Sequence, residues 1–187
     1  MAVSPARYSS VAIILHWVMA LAFILMLTSG FVMTSDLLSQ SLKFRMFQWH
    51  KGLGVLLLLA FVLRLGWRLI NRPPDLPASL KGLARLVAKG GHWLLYGLMV
   101  AMPVTGWIMV SASVYGLPTI VFGWFEWPHL PGLAGNEAVG DGAKNAHLVL
   151  ALLFAAAIAG HIAAVIKHYL FDRENFMTRM WWSKDPS

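Results

Sequence analysis

The sequence predicts an all-α membrane protein in which residues 1–187 form a single bundle of four transmembrane helices. Of its 187 residues, 58% are hydrophobic and only 12% are charged, whereas a soluble domain carries about 25% charged residues. Four stretches each contain about 20 mostly apolar residues, the length that crosses a hydrocarbon core of about 30 Å. Membrane lipid is therefore the expected surrounding for most of the chain.

Four spans are predicted in order along the chain. They run from about Val11 to Met33, from about His50 to Ile70, from about Gly91 to Ala112 and from about Ala146 to Leu170. The first stretch is too long for the hydrophobic region of a signal peptide and lacks a clear cleavage site. It is therefore interpreted as a retained helix.

The charges between the spans predict the orientation. Basic residues cluster around the second connection and the tail: Arg64, Arg68, Arg72, Lys81, Arg85 and Lys89, then Lys167, Arg173, Arg179 and Lys184. The third connection is acidic by comparison. The positive-inside rule then places the second connection and both termini in the cytoplasm. The formal net charge of +7 is read as this orientation signal, and nucleic acid is not an expected partner.

The third connection, residues 113–145, is rich in glycine, proline and aromatic residues. Its aromatic residues include Phe122, Trp124, Phe125 and Trp127. We expect it to cap the periplasmic mouth of the bundle or to offer a docking surface to a partner subunit.

Histidines supply the main functional signal. Five of the seven fall within or at the ends of the predicted spans: His16, His50, His92, His147 and His161. Ionisable residues are costly in a membrane core and usually functional. The last two lie 14 residues apart, which is nearly four helical turns and about 21 Å, so their rings share one helix face. One histidine is thus expected near each edge of the hydrocarbon layer.

The same interval recurs on the other three helices. It separates His16 from Gly30, His50 from Arg64 and His92 from Gly106. One interpretation is a stack of two flat cofactors, with a ligand, a gap or a cationic partner at each level. Glycine is also common in ordinary helix packing in membranes, so the histidine pair carries more weight than the glycines.

Depth in the membrane pairs the histidines. Alternating helix directions put His50 with His147 at the periplasmic level and His16 with His161 at the cytoplasmic level. Neutral imidazole is a good ligand for haem iron, and two axial histidines favour electron transfer over oxygen binding. The absence of cysteine excludes covalent c-type attachment and thiolate-held iron–sulfur clusters. Two haems b are therefore predicted.

His92 is an alternative partner for His161 at the cytoplasmic level. It is equally a candidate to hold a haem propionate or a quinone carbonyl, with Tyr8 and Ser9 as further quinone contacts. Arg64 and Arg68 lie one turn apart, and anionic propionates need cationic partners away from water. Both arginines are therefore candidate cofactor-binding residues, with orientation charge as the alternative role, and Arg64, on the helix face of His50, is favoured for a propionate.

Basic residues also gather near the periplasmic level. Lys43 and Arg45 are expected just before the second helix, Lys51 follows His50, and Lys144 precedes His147 by three residues. If they converge, they form a positive mouth that attracts a small anionic electron donor. Lys51 and Lys144 are the residues predicted to take part in that reaction, and neutralising propionates or lipid phosphates is the alternative role.

Several motifs resemble those of the bacterial cytochrome b561 family of di-haem membrane proteins. The matching segments are Tyr8-Ser9, Leu15-His16-Trp17, His50-Lys51-Gly52-Leu53-Gly54, Arg64 with Arg68 before Pro73-Pro74, His92-Trp93-Leu94-Leu95-Tyr96, Pro103-Val104-Thr105-Gly106 and the His147–His161 step. The resemblance covers nearly the whole chain. It implies that His16, His50, His147 and His161 are the haem ligands in a protein of the bacterial inner membrane that exchanges electrons with ubiquinone. The short members are similar to superoxide oxidase.

Three functions remain open at this point. The first is a di-haem oxidoreductase between a periplasmic donor, superoxide by the resemblance, and ubiquinone. The second is the cytochrome b membrane anchor of a larger dehydrogenase or hydrogenase. The third, from another class, is a histidine-lined metal or proton transporter, although the discontinuous helices and repeats typical of transporters are not evident.

Overall fold

The computed structural model describes residues 7–77 and 79–182, and within these ranges the chain forms four long helices and one short hairpin. The helices are α1 (Ser10–Thr34), α2 (Gln40–Ile70), α3 (Gly82–Ser111) and α4 (Glu137–Leu170). Each is long and apolar enough to cross a membrane. The predicted fold class is confirmed, whereas Lys184 of the basic tail lies outside the described residues.

Three of the helices begin well before the apolar spans that the sequence marks. Helix α2 begins at Gln40, α3 at Gly82 and α4 at Glu137. Hydropathy detects only the part of a helix inside the hydrocarbon, while backbone hydrogen bonding continues through the headgroup layer. The 31 residues of α2 span about 46 Å at 1.5 Å per residue, close to the full bilayer thickness of about 40–45 Å.

These early starts correct the placement of several charges. Lys43 and Arg45 were expected to precede α2, but they lie in its first two turns. Arg85 and Lys89, expected in the second connection, lie on α3. A lysine or arginine stem can lie along a helix while its charged end reaches the polar headgroup region, so charge alone does not end a helix at the membrane surface.

Local signals explain where the helices begin and end. The Ser9 hydroxyl accepts a hydrogen bond from the amide of Ala12 at 3.4 Å, and the Asn136 side chain accepts one from Val139 at 3.2 Å. Both are N-caps that satisfy free amides of the first turn. After α2, Pro73-Pro74 cannot continue a helix because proline lacks an amide hydrogen and restricts the preceding residue.

A layer of buried apolar side chains fills the middle of the bundle. Phe154 of α4, 1% exposed, meets Phe23 of α1 edge to face with ring centroids 4.9 Å apart. The other buried members of this cluster are Met19, Leu57, Phe61, Leu95 and Leu98. Because Phe154 lies midway in sequence between His147 and His161, this layer separates two histidine levels.

The third connection contains an antiparallel hairpin, the one sheet found among the described residues. Strand β1 (Thr119–Val121) pairs with β2 (Phe125–Trp127). At the turn, Phe122 and Gly123 have φ of 49° and 77°, and such left-handed backbone is strained for phenylalanine. The Phe122 ring lies over Gly52 of α2, where an added Cβ would meet it at 3.3 Å, and this contact helps to hold the turn in place.

The opposite end of the bundle is closed by the C-terminal segment. A 3₁₀ helix covers Phe176–Met180, and its buried Arg179 donates to the Asp75 carbonyl at 2.6 Å. Trp17 Nε1 donates to the Met180 carbonyl at 2.7 Å. We call this the tail end and the end with the hairpin the loop end. The tail therefore connects the first helix to the second connection.

Candidate cofactor site

Four histidines face one another in two pairs, one at each end of the bundle. At the loop end, the His50 and His147 ring centroids lie 6.4 Å apart. At the tail end, the His16 and His161 centroids are also 6.4 Å apart. Each pair joins a helix of the α1–α2 hairpin to α4. These are the pairings that depth in the membrane predicts, although whether each pair binds iron stays a prediction.

The spacing within each pair fits one metal atom held between two imidazoles. A ring nitrogen binds a first-row metal at about 2 Å, and the ring centre lies about 1 Å behind that nitrogen, so two opposed rings have centres about 6 Å apart. Both observed separations of 6.4 Å satisfy this condition.

The loop-end histidines each have a hydroxyl partner that sequence reasoning missed. Ser29 Oγ lies 3.0 Å from His50 Nδ1, and Thr105 Oγ1 lies 3.0 Å from His147 Nδ1. Both hydroxyls directly precede a glycine that the 14-residue interval had marked, Gly30 and Gly106. The sequence shows each hydroxyl next to a marked glycine. Only the packing of neighbouring helices shows that these hydroxyls contact the histidines.

The marked glycines lie against the imidazole rings. A Cβ built on Gly106 would be 3.3 Å from His147 Cε1, and one on Gly30 would be 3.5 Å from His50 Cε1. The first distance is tighter than ordinary van der Waals contact, and the second is ordinary. The two glycines therefore leave the expected space beside the imidazole rings. A side chain is tolerated less well at Gly106 than at Gly30.

A cavity of about 670 Å³ opens beside the loop-end pair. Its walls are mostly apolar and include Met26, Gly54, Met102 and Phe154, with His50 and His147 among them. Cofactor sites are typically apolar cavities of about 300–1,000 Å³ with a few placed polar groups. The size and lining suit a large flat group inserted between the helices.

Three of the four basic residues expected at this level line the same cavity. They are Lys43, Lys51 and Lys144, whereas Arg45 is not among the lining residues. Lys43 pairs with Asp36 at 3.5 Å, and Lys51 Nζ donates to the Pro118 carbonyl at 2.9 Å. The basic residues therefore converge in part, and their predicted roles in the reaction remain predictions.

At the tail end, a partly buried guanidinium lies beside the histidine pair. Arg64 Nη2 is 3.4 Å from His16 Nδ1, while its Nε and Nη1 are buried without a hydrogen-bond partner among the described residues. Buried cationic donors are costly when unpaired, so this arrangement fits an anionic group such as a propionate. If His16 binds metal through Nε2, its Nδ1 carries a proton, and Arg64 must turn toward such an anion.

Arg68 and His92 complete the tail-end surroundings. Arg68 lies over the Tyr96 ring with its guanidinium carbon 5.3 Å from the centroid. His92 is exposed, and its ring centroid lies 5.7 Å from that of His161. Its Nδ1 donates to the Ala88 carbonyl at 2.6 Å, so in the neutral ring Nε2 is the nitrogen with the free lone pair. His92 thus stays an alternative ligand for the position opposite His161.

The proposed quinone contacts Tyr8 and Ser9 both have structural roles at the tail end. Ser9 caps α1 and accepts a hydrogen bond from Trp67 Nε1 at 2.9 Å. Tyr8 lies under the guanidinium of Arg179, and its amide donates to the Arg179 carbonyl at 3.1 Å. Both residues stabilise the tail end, so His92 is the stronger quinone candidate.

The remaining histidines lie away from the pairs. His168 Nδ1 is 2.5 Å from Asp172, an interfacial contact of the kind expected from its place at the end of α4. The hydrogen bond from Lys167 at 2.6 Å, followed by the one from His168, keeps the pKa of Asp172 below its usual value. His129 belongs to the third connection and carries no assigned role.

Comparison with known proteins agrees with this geometry. The chain matches the prokaryotic cytochrome b561 family over residues 7–183. It is 30% identical over 177 residues to cytochrome b561 homolog 2 of Escherichia coli (strain K12), covering 95% of this chain and 92% of that protein. It is 28% identical over 177 residues to the probable superoxide oxidase CybB of Yersinia pestis, covering 93% and 95% respectively.

The protein is a multi-pass membrane cytochrome of the b type, and the chain belongs to the prokaryotic cytochrome b561 family. Membership implies b-type haem and electron transfer, which the opposed imidazoles, the apolar cavity and the unpartnered Arg64 nitrogens fit. It favours electron transfer over the alternative of a metal or proton transporter.

The contact at Gly106 generates a test. Gly106→Ala should reduce the haem content of the purified protein, because the added Cβ meets His147 at 3.3 Å and displaces a ring that must keep its position. The loss would be measured as haem per polypeptide by pyridine haemochrome absorbance. Gly97→Ala on the same helix is the matched control, since nothing lies within 4 Å of its new Cβ. Equal haem content in the two variants would contradict this account.

Proposed function

We propose that this cytochrome holds two haems b and transfers electrons from superoxide at the loop end to ubiquinone toward the tail end. The observation that carries the proposal is the pair of equal 6.4 Å imidazole separations at opposite ends of one bundle. In this proposal the bundle lies in the bacterial inner membrane with the loop end facing the periplasm and both termini in the cytoplasm. The positive-inside rule supports that orientation.

The histidines and arginines would hold the cofactors. His50 with His147 and His16 with His161 would supply the axial nitrogens, and Arg64 and Arg68 would bind propionates. Haem held by these residues would supply reversible one-electron chemistry. The apolar walls exclude water, which strengthens the electrostatic effect of each placed charge.

Removing single ligands tests the pairing. His147→Ala should remove the haem of the loop end, and His161→Ala that of the tail end, while each variant keeps the other haem. The measurement is haem per polypeptide with reduced-minus-oxidised spectra and redox titration. A wild-type protein with one haem or none would contradict the proposal.

The tail-end partner is decided by a second comparison. His16→Ala should lose the tail-end haem, while His92→Ala should retain it, because the His16–His161 separation equals that of the loop-end pair. The opposite result would assign His92 as the ligand. Its free Nε2 makes that outcome chemically reasonable, so both variants belong in the same experiment.

The basic mouth over the loop-end cavity supports superoxide as donor. Two superoxide anions each give up one electron and leave as O2, and one quinone takes up the two electrons with two protons to become quinol. A cleft of one charge sign raises the encounter rate of an opposite charge by roughly 10-fold to 1,000-fold. Lys144 has no side-chain partner among the described residues, and its ammonium group is exposed. Similarity to a probable superoxide oxidase supports the same donor.

Replacing charges in this mouth should slow the reaction without changing the haems. Lys51→Gln combined with Lys144→Gln should lower the rate of haem reduction by superoxide, and the wild-type rate should fall as salt screens the attraction. Pulse radiolysis at several ionic strengths measures both effects. Arg45→Gln is the matched control, because Arg45 is exposed and does not line the cavity. If neither salt nor the lysine substitutions change the rate, Lys51 and Lys144 have only a structural role.

His92 is proposed as a contact for the quinone carbonyl. It is exposed next to the tail-end pair. As an imidazolium, its Nδ1 keeps the bond to the Ala88 carbonyl while its Nε2–H donates to the quinone carbonyl. His92→Gln should slow quinone reduction while both haem spectra stay unchanged, as followed by stopped-flow absorbance with a soluble ubiquinone analogue. Ser9→Ala should instead lower thermal stability, because it removes the α1 cap. Unaltered quinone kinetics in His92→Gln would contradict this assignment.

A membrane anchor for a larger dehydrogenase or hydrogenase is the second candidate. The exposed aromatic side chains of the third connection favour it: Trp124 is 75% exposed and Tyr115 81% exposed. Such rings are common at protein interfaces. Co-purification of a defined redox subunit, together with no reduction by superoxide, would support the anchor over the oxidase.

A further inference from the structure

The loop end repeats one two-residue arrangement on two different helices. In α1, Ser29-Gly30 faces His50, and in α3, Thr105-Gly106 faces His147. In each case the hydroxyl lies 3.0 Å from the imidazole Nδ1, while the glycine backbone lies beside Cε1 of the same ring. We call these the hydroxyl–glycine pairs. Their recurrence on both ligands of one level indicates a shared role.

The hydrogen bonds that the two hydroxyls donate to backbone carbonyls indicate which imidazole nitrogen carries the proton. Ser29 Oγ donates to the Met26 carbonyl at 3.0 Å, and Thr105 Oγ1 donates to the Ala101 and Met102 carbonyls at 2.9 Å. A hydroxyl has one hydrogen and two acceptor lone pairs. With its hydrogen directed to a carbonyl, each hydroxyl accepts from the imidazole, so Nδ1 of His50 and of His147 carries the proton. The Met102 carbonyl is a second acceptor for the His147 ring. Nε2 of each ring is left with the lone pair that a metal requires.

The two ends of the bundle differ in this respect. At the tail end, His16 Nδ1 faces a guanidinium nitrogen of Arg64 at 3.4 Å, which is a donor and a positive charge. A ligand histidine whose Nδ1–H is donated to an acceptor is more basic at Nε2, and such contacts tune the metal. Among the described residues, no hydroxyl or carbonyl acceptor meets Nδ1 of His16 or of His161, so the tail-end ligands lack this added basicity.

We propose that Ser29 and Thr105 are positioning residues that lock His50 and His147 in the metal-binding tautomer and set the reduction potential of the loop-end haem below that of the tail-end haem. Greater electron donation from the two imidazoles stabilises ferric over ferrous iron at the loop end. The order of potentials favours electron movement from the loop end to the tail end. This inference rests on the proposed function, because it requires haem at both pairs.

Removing the hydroxyls one at a time tests the proposal. Ser29→Ala and Thr105→Val should each raise the midpoint potential of the loop-end haem and leave that of the tail-end haem unchanged. Each should also speed transfer of the loop-end haem to apomyoglobin by about 10-fold, the lower range of effects at such partners. Thr105→Ser should restore both properties, because it keeps the hydroxyl.

A matched control is available on α1. The Thr28 hydroxyl donates to the Ile24 carbonyl at 2.9 Å in the manner of a helix-facing threonine, and no contact joins it to an imidazole among the described residues. Thr28→Val therefore reports the cost of losing a hydroxyl from a membrane helix. Ser29→Ala and Thr105→Val variants that match Thr28→Val in potential and haem transfer would overturn the proposal, as would equal shifts of both haems.

A measurement on the unaltered protein covers the case in which Thr105→Val fails to fold. Pulsed electron–nuclear double resonance of the oxidised protein in H2O and D2O should detect an exchangeable Nδ1 proton on each loop-end ligand. Its absence would overturn the proposal. Two other results would contradict the proposed function itself. They are a wild-type protein without two haems and a His147→Ala variant that keeps both haems.

Discussion

The contact between Phe23 and Phe154 is the constraint on which the rest of the bundle depends. The centroids of these rings are 4.9 Å apart between α1 and α4. Phe23 lies seven residues from both His16 and Gly30. Phe154 lies seven residues from both His147 and His161. Seven residues are about two turns and about 10 Å. The contact therefore fixes how far α1 stands from α4 at both histidine levels. Lipid offers no hydrogen bonds to imidazoles, so their partners must come from helices held at this distance.

Around that layer, the two ends of the bundle have different chemistry. Hydroxyl acceptors and an apolar cavity surround the loop-end pair. A guanidinium, a tyrosine ring and a third histidine surround the tail-end pair. The loop end is thus suited to a ligand pair of fixed tautomer next to a basic opening. The tail end is suited to an anionic cofactor edge and a polar reactant that approaches from the membrane.

The segments outside the membrane support these two ends. The hairpin rests on α2 through Phe122 over Gly52 and through the bond from Lys51 to the Pro118 carbonyl. That bond directs Lys51 toward the loop while its helix carries His50. At the other end, Arg179 and Trp17 join the C-terminal 3₁₀ helix to the second connection and α1. Since Trp17 follows His16 directly in the sequence, the tail also restrains the helix that carries His16.

The sequence by itself determined the four helices, the membrane class and the shared helix face of His147 and His161. Hydropathy over about 20 residues reports burial in hydrocarbon, and the 14-residue step from His147 to His161 reports one helix face. Both are properties of a single helix and need no knowledge of its neighbours. The starts of three helices were misjudged, because backbone hydrogen bonding begins α2 at Gln40, well before the apolar segment, while the predicted end at Ile70 is correct.

Only the tertiary structure decided the partners of each histidine. That Ser29 serves His50, that Thr105 serves His147 and that Arg64 lies beside His16 depends on which helix faces which, and at what rotation. The structure also shows that Arg45 does not line the loop-end cavity and that Ser9 and Tyr8 make structural contacts. A side chain's hydrogen bond is set by positions within about 3 Å on another helix, and sequence spacing along one helix carries no information about that distance.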